Sequence, residues 1–294
     1  MGLSSDVTAL MMQASARMVA RHGDALQFGG QDLAKPLRRR VPTCHGRVKV
    51  DLYLPPGADS PPVYVHLHGG AFIMRFPRMD DFFCRFVASE AGVAVVNVDY
   101  GVAPQARYPV AQDQAHDVFA WLSEHGVDWG LDQTRIAIGG FSAGGNLAAS
   151  ACLQIRDRGG ATPRLQLLGV PSLDVAGEVS AKQASVSDPM IGPGLLKLVR
   201  ATYFKDASRR TEPYASPLLA EDLTGVAPAV VVTAERDTLR AEGDAYAAAL
   251  GQQSLLVQHV VVPGRDHYFL DGNDPDQAHG LMRMMAEHLR TALS

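Results

Sequence analysis

The sequence predicts an α/β fold with a mostly parallel central sheet flanked by helices, and three observations carry that prediction. Short apolar, β-branched runs such as Val93-Ala-Val-Val-Asn-Val98 alternate with helical segments of ten or more residues. Several of these runs are apolar throughout, as strands buried on both faces must be. At Gly140-Phe-Ser-Ala-Gly144 one run meets a helix within a few residues, and the pentapeptide is G-x-S-x-G.

The elements follow in order. Residues 6 to 21 form an amphipathic helix with Asp6 as N-cap and an apolar stripe of Leu10, Met11, Ala14 and Met18. From 22 to about 45 no period emerges. Residues 47–54 alternate Val48, Val50, Leu52 and Leu54 with polar neighbours, a half-exposed strand. Strands are expected at 63–67, 93–98, 135–138, 165–170, 229–234 and 257–262. Helices are expected at 80–91, 109–125, 239–250 and 275–289, with another directly after Ser142. The stretch 175–215 breaks the alternation, and Leu195–Phe204 within it reads as an insert helix. With the N-terminal helix it could cap the C-terminal edge of the sheet, where ligands bind in such folds. The expected organisation is one folding unit, with a cap of about 1–45 and 175–215 on a core of about 46–174 and 216–294.

Composition narrows the function classes. A hydrophobic fraction of 47% in 294 residues and a mean hydropathy of −0.02 describe a soluble globular chain with a sizeable core. A net charge of −4 without long charged runs excludes a nucleic-acid-binding role, and Arg38-Arg-Arg40 reads as a solvated turn. Cys44, Cys84 and Cys152 contain no C-x-x-C pair, and their odd number argues against a disulfide framework, so a cytoplasmic location is expected. The N-terminus lacks a signal-peptide pattern, and no segment is long enough to insert stably in a membrane.

The pentapeptide is where the chemistry gathers. A chain passing from strand to helix so quickly holds its central residue in a strained conformation, which lifts Ser142 above the strand end beside the amide of Ala143. Serine is a poor nucleophile unless a base lies within hydrogen-bond reach and a third group orients that base. Among the downstream histidines, His259 falls in a strand and His279 and His288 on a helix. His267 occupies a loop just past a strand's C-terminal end, on the rim where Ser142 emerges, and is the expected base. Asp237, also just past a strand, is the expected acid, with Glu235 and Asp266 as competitors and helix capping as its alternative role. His68-Gly-Gly-Ala71 follows a strand too, and the amides of Gly69 and Gly70, with Ala143, are the expected oxyanion donors.

His68-Gly-Gly-Ala-Phe72, Asp99-Tyr100 with Ala103-Pro104, Gly140–Gly145, Ala215-Ser-Pro-Leu218, Asp237-Thr-Leu239 and Gly264-Arg-Asp-His267 resemble the hormone-sensitive-lipase-like branch of the α/β-hydrolase fold, the bacterial esterases with an HGGG motif. The likeness runs from about 60 to 290. It implies hydrolysis of short-chain carboxylic esters without metal or cofactor, under a helical cap, in proteins that often pair as homodimers. The chain departs from the family pattern at Ala71 (third loop glycine), Phe141 (an acid), Gly101 (Arg) and Gln105 (Glu). The last three suggest a buried ionic network replaced by apolar and neutral contacts.

A serine carboxylesterase working through an acyl-enzyme is therefore expected, with Phe72, Ile73, Met74, Phe141 and Tyr203 as pocket walls. Arg75 and Arg78 read either as solvated loop residues or as attractants for an anionic substrate. An amidase, formamidase or acyltransferase would use the same triad. A non-catalytic small-molecule receptor would be expected to have lost the nucleophile or the base, and this chain keeps both.

Overall fold

Eight strands form one sheet in the order β1-β2-β4-β3-β5-β6-β7-β8 in the computed structural model, which describes residues 2–19 and 24–294. β1 (Leu37–Thr43) and β2 (Gly46–Tyr53) make an antiparallel hairpin, and β2 runs antiparallel to β4 (Ala94–Asp99). The rest of the sheet is parallel: β3 (Val63–Leu67), β4, β5 (Ile136–Phe141), β6 (Gln166–Gly169), β7 (Ala229–Ala234) and β8 (Leu256–Val262). Every residue of β3, β5, β6 and β7 is buried, which is why these runs lack a polar face.

Side-chain alternation along the strands divides the core between the two faces. Val63, Val65 and Leu67 share one cluster with residues of α3 (Val110–His125), α4 (Ala143–Arg158) and α6 (Arg240–Gln252). Tyr64, Ala137 and Val232 share the other with residues of α2 (Asp81–Ala91) and α7 (Pro275–Ala292). Parallel register brings the C-terminal ends of β3, β5, β7 and β8 to one edge, so the loops after all four open on the same side.

The chain differs from expectation in three places outside that central block. β1 falls in the stretch left without a period and assigned to the cap, and it belongs to the sheet as its edge strand. Arg38-Arg-Arg40, expected to be a turn, lies inside it, with only Val41 buried. The N-terminal helix, α1 (Gly2–Val19), begins earlier than expected and presents a different face. Leu10 and Met11 are exposed, as is Ala14, while Ala9 and Ala16 are buried and Met12 packs on the core. The Met18 side chain lies outside the described residues. Small alanines let the helix approach closely, and Gln13 donates to the Ala103 carbonyl at 2.5 Å. Asp6, expected as N-cap, instead pairs with Arg107 at 2.8 Å. Leu54 lies past the end of β2 and is exposed.

The insert helix is present as α5 (Pro193–Thr202), and it packs against α1. Among the described residues, no helix is long and apolar enough to cross a membrane.

Candidate active site

Ser142 stands between β5 and α4 at φ 55°, ψ −114°, the strained turn anticipated from G-x-S-x-G. Its amide donates to the Gly169 carbonyl at 2.8 Å, tying the turn to β6. The two glycines answer a specific steric demand. A Cβ on either Gly140 or Gly144 would overlap the Leu67 carbonyl oxygen, because the turn lies directly on the end of β3.

The loop after β3 continues from that same carbonyl. A Cβ on Gly69 would lie 3.8 Å from the Cβ of Ser142, so this loop borders that serine. Its carbonyls are held away from the site. The Tyr100 hydroxyl donates to the His68 oxygen at 2.6 Å, and His68 Nδ1 bonds the Gly69 oxygen at 2.6 Å. The His68 ring stacks on Tyr100 with centroids 4.3 Å apart. Burial pulls the His68 pKa below its ordinary value, so the ring is neutral and Nδ1–H is the donor. Fixing each carbonyl fixes the opposite face of its planar peptide. Among the described residues, the amides of Gly69 and Gly70 have no backbone acceptor, and Ala143 contributes the unpaired amide of a helix start. Gly70, at φ 116°, could not carry a side chain, since its Cβ would meet that of Met74 at 2.8 Å. Ala71 and Phe72 also hold positive φ, 54° and 57°, at roughly 1–3 kcal/mol each. That conformation explains why a third glycine suits position 71.

Asp237 and His267 come together. His267 Nδ1 lies 2.8 Å from Asp237 Oδ2, and both side chains are buried. Asp237 Oδ1 also accepts from the Leu239 amide at 3.0 Å, so the residue organises the entry to α6 while holding the imidazole. The loops after β7 and β8 are cross-tied by Arg236 N to Arg265 O (2.8 Å) and by Gly264 N to Glu235 Oε2 (2.6 Å). Arg265 in turn pairs with Asp271 and Asp274. The competitors are engaged elsewhere. Asp266 accepts from the Met190 amide, His259 bonds Thr233 and Asp244, His279 stacks on Phe28, and His288 bonds Gln258.

A cavity opens at Ser142 and Ala143. Its apolar wall comes from Phe72, Val175, Val179, Ile191, Leu195 and Val199, so α5 and the segment preceding it cover Ser142. Of the five pocket residues expected from sequence, only Phe72 is among the lining. Ile73 is in the main core, and Met74 packs beneath α1 against Ala16. Tyr203 stacks behind Phe72 at 4.9 Å and donates to Gln112 Oε1 at 2.7 Å. Phe141 points to the other face of the sheet, among His66, Phe83 and Phe269, at centroid distances of 5.2, 4.8 and 5.3 Å.

Comparison with known proteins gives the family. A family model described as the α/β hydrolase fold matches residues 64–271. The chain belongs to the α/β-hydrolase family, in its hormone-sensitive-lipase-like branch. It is 32% identical to the carboxylic ester hydrolase LipN of Mycobacterium tuberculosis over 92% of this chain and 72% of the relative. It is 34% identical to an ethyl acetate hydrolase of Pseudomonas putida, over 83% and 78%. Among solved structures, an esterase of Pyrobaculum calidifontis superposes with a TM-score of 0.87 at 28% identity, covering 99% of this chain and 94% of that one.

The hydrolase's departures from its family pattern do not form one replaced network. Phe141 belongs to the aromatic cluster on the α2 and α7 face. Gln105 exchanges hydrogen bonds with Gln13 of α1, and the Gly101 amide donates to Gln114 at 2.7 Å. Arg75 is engaged bidentately by Asp99, and Arg78 reaches Asp51 at 3.7 Å, so the charge of each has a protein partner.

One ionic pair, which reaches the cavity wall through Lys182, had no sequence signal. Lys182 Nζ meets Glu242 Oε2 and the Asp174 carbonyl, and Glu242 Oε1 accepts from the Leu173 amide at 2.9 Å. Glu242 is buried, and desolvation outweighs the nearby ammonium, pushing its pKa up to about 7. The folded pKa lies above the ordinary glutamate value of 4.5, so this group's contribution to stability is complete at low pH. It is lost as pH rises from about 4.5 through 7, with a ceiling of about 3 kcal/mol. Glu242→Gln is expected to remove that slope, keeping the Leu173 bond while flattening the melting-temperature profile across the interval. Equal slopes in both proteins would exclude this assignment.

Proposed function

We propose that this chain is a serine carboxylesterase that cleaves short-chain esters through an acyl-enzyme. The observation carrying this reading is the 2.8 Å Asp237–His267 bond at the sheet edge from which Ser142 projects. The relatives named as ester hydrolases support it. His267 Nε2 takes the hydroxyl proton as Ser142 Oγ bonds to the ester carbonyl carbon, and Asp237 holds the imidazole and stabilises the imidazolium. The oxyanion accepts from the amides of Gly69, Gly70 and Ala143. His267 then gives its proton to the departing alkoxide, and a water activated by the same imidazole releases the carboxylic acid. No metal or cofactor enters the scheme.

α1 and the 175–215 segment act as the cap in this scheme, over a small-molecule ester substrate. The setting proposed is a reducing cytoplasm, matching the three free cysteines, with two copies pairing as a homodimer. The test is intact-mass analysis after a fluorophosphonate, followed by p-nitrophenyl esters from acetate to laurate. One adduct per chain on Ser142 is expected, with turnover falling toward laurate because Ile191 and Leu195 wall the cavity. An unlabelled Ser142 would overturn the assignment. Amide turnover exceeding ester turnover would move the chain to the amidases.

A further inference from the structure

At the far edge of the sheet, four strands from β5, two elements bring together a set of donors that the ester chemistry does not use. The turn between β1 and β2 supplies Cys44 and His45, and the first turn of α3 supplies Asp113. One ligand atom from each, thiol, imidazole and carboxylate, lies within 4.8 Å of the other two. We propose that Cys44, His45 and Asp113 bind a zinc-class divalent cation that clamps the β1–β2 turn to α3.

The donor set fits that class. Sulfur, nitrogen and one oxygen together suit zinc, whereas magnesium and calcium select oxygen alone. Ligands on a tetrahedral zinc stand roughly 3.5 Å apart, so closure needs side-chain shifts on the order of 1 Å. His45 Nε2 already lies 2.9 Å from Asp113 Oδ2, and a cation would take the place of the proton between them.

Surrounding groups orient the donors as supporting residues do around metal sites. Asp117 Oδ2 accepts from the Cys44 amide at 2.8 Å and fixes the turn. Arg158 Nη2 holds Asp113 Oδ1 at 3.1 Å, leaving Oδ2 directed at His45. His116 bonds Asp117 Oδ1 at 2.9 Å and also meets Arg158. Asp113, Asp117 and a thiolate carry three negative charges against the single fixed positive charge of Arg158. When a cation binds, the Cys44 sulfur bonds the metal, its proton passes to solvent, and His45 binds as the neutral imidazole.

Cys44 is the exposed cysteine of the three, Cys84 and Cys152 being buried, so its alkylation reads the site directly. The experiment adds Zn²⁺ alone to tag-free full-length protein and follows iodoacetamide modification of Cys44, with Co²⁺ as the spectroscopic probe. Zn²⁺ is expected to slow alkylation, and Co²⁺ to give a thiolate-to-cobalt charge-transfer band that saturates at one ion per chain. His45→Ala and Asp113→Asn should each weaken binding about 10- to 100-fold, and Cys44→Ser should abolish the band. Circular dichroism identifies any variant that fails to fold. No protection in the wild type, or protection undiminished in folded His45→Ala and Asp113→Asn, would overturn the proposal.

Discussion

Ser142→Ala is expected to lower ester turnover by about 10⁶-fold while leaving the chain folded. Only the attacking oxygen is lost. Alanine keeps the Cβ that already stands at φ 55°, so the strain of the turn is unchanged. Ser142 N and the following helix retain their backbone bonds. What survives should be the contribution of the oxyanion donors and of substrate binding, on the order of 10³- to 10⁴-fold over water. Hydrolysis of p-nitrophenyl butyrate, measured beside a thermal melt, checks both halves of the expectation. Wild-type turnover in a folded variant would remove Ser142 from its role.

Asp237→Asn should lower kcat by about 10⁴-fold with KM nearly unchanged. Asp237 accepts from His267 Nδ1 and from the Leu239 amide, and its buried carboxylate faces the imidazole rather than the cavity. An asparagine can keep one of these bonds and donate its amide hydrogen to Nδ1. The ring proton is then driven to Nε2, the nitrogen that must be free to accept from Ser142. It also withdraws the negative charge that stabilises the imidazolium. A kcat loss below tenfold would mean that another carboxylate orients His267.

The parallel strands, and the placing of Ser142, Asp237 and His267 in loops at their C-terminal ends, were legible because each depends on local pattern. A fully buried strand leaves a continuous apolar run, and the loop at its C-terminal end can be read from the residues that follow it. β1 left no such trace. It is an exposed edge strand whose Arg38-Arg-Arg40 stretch is polar on both faces. The packing face of α1 was misread because contact there depends on the smallness of Ala9 and Ala16 rather than the bulk of Leu10 and Met11. Lys182 and Glu242 are 60 residues apart, and only the path of the insert makes them neighbours. The pocket was assigned to residues beside the sequence motifs, yet most of its wall comes from that same insert.

The Leu67 carbonyl oxygen touches the space that side chains at both 140 and 144 would need, and the amide-bearing loop begins immediately beyond it. Ser142 and the Gly69–Gly70 loop are thus seated on a common anvil and cannot be moved separately by enlarging Gly140 or Gly144. The cavity wall is free of that constraint where it is built from α5 and the segment before it, which do not rest on the Leu67 carbonyl.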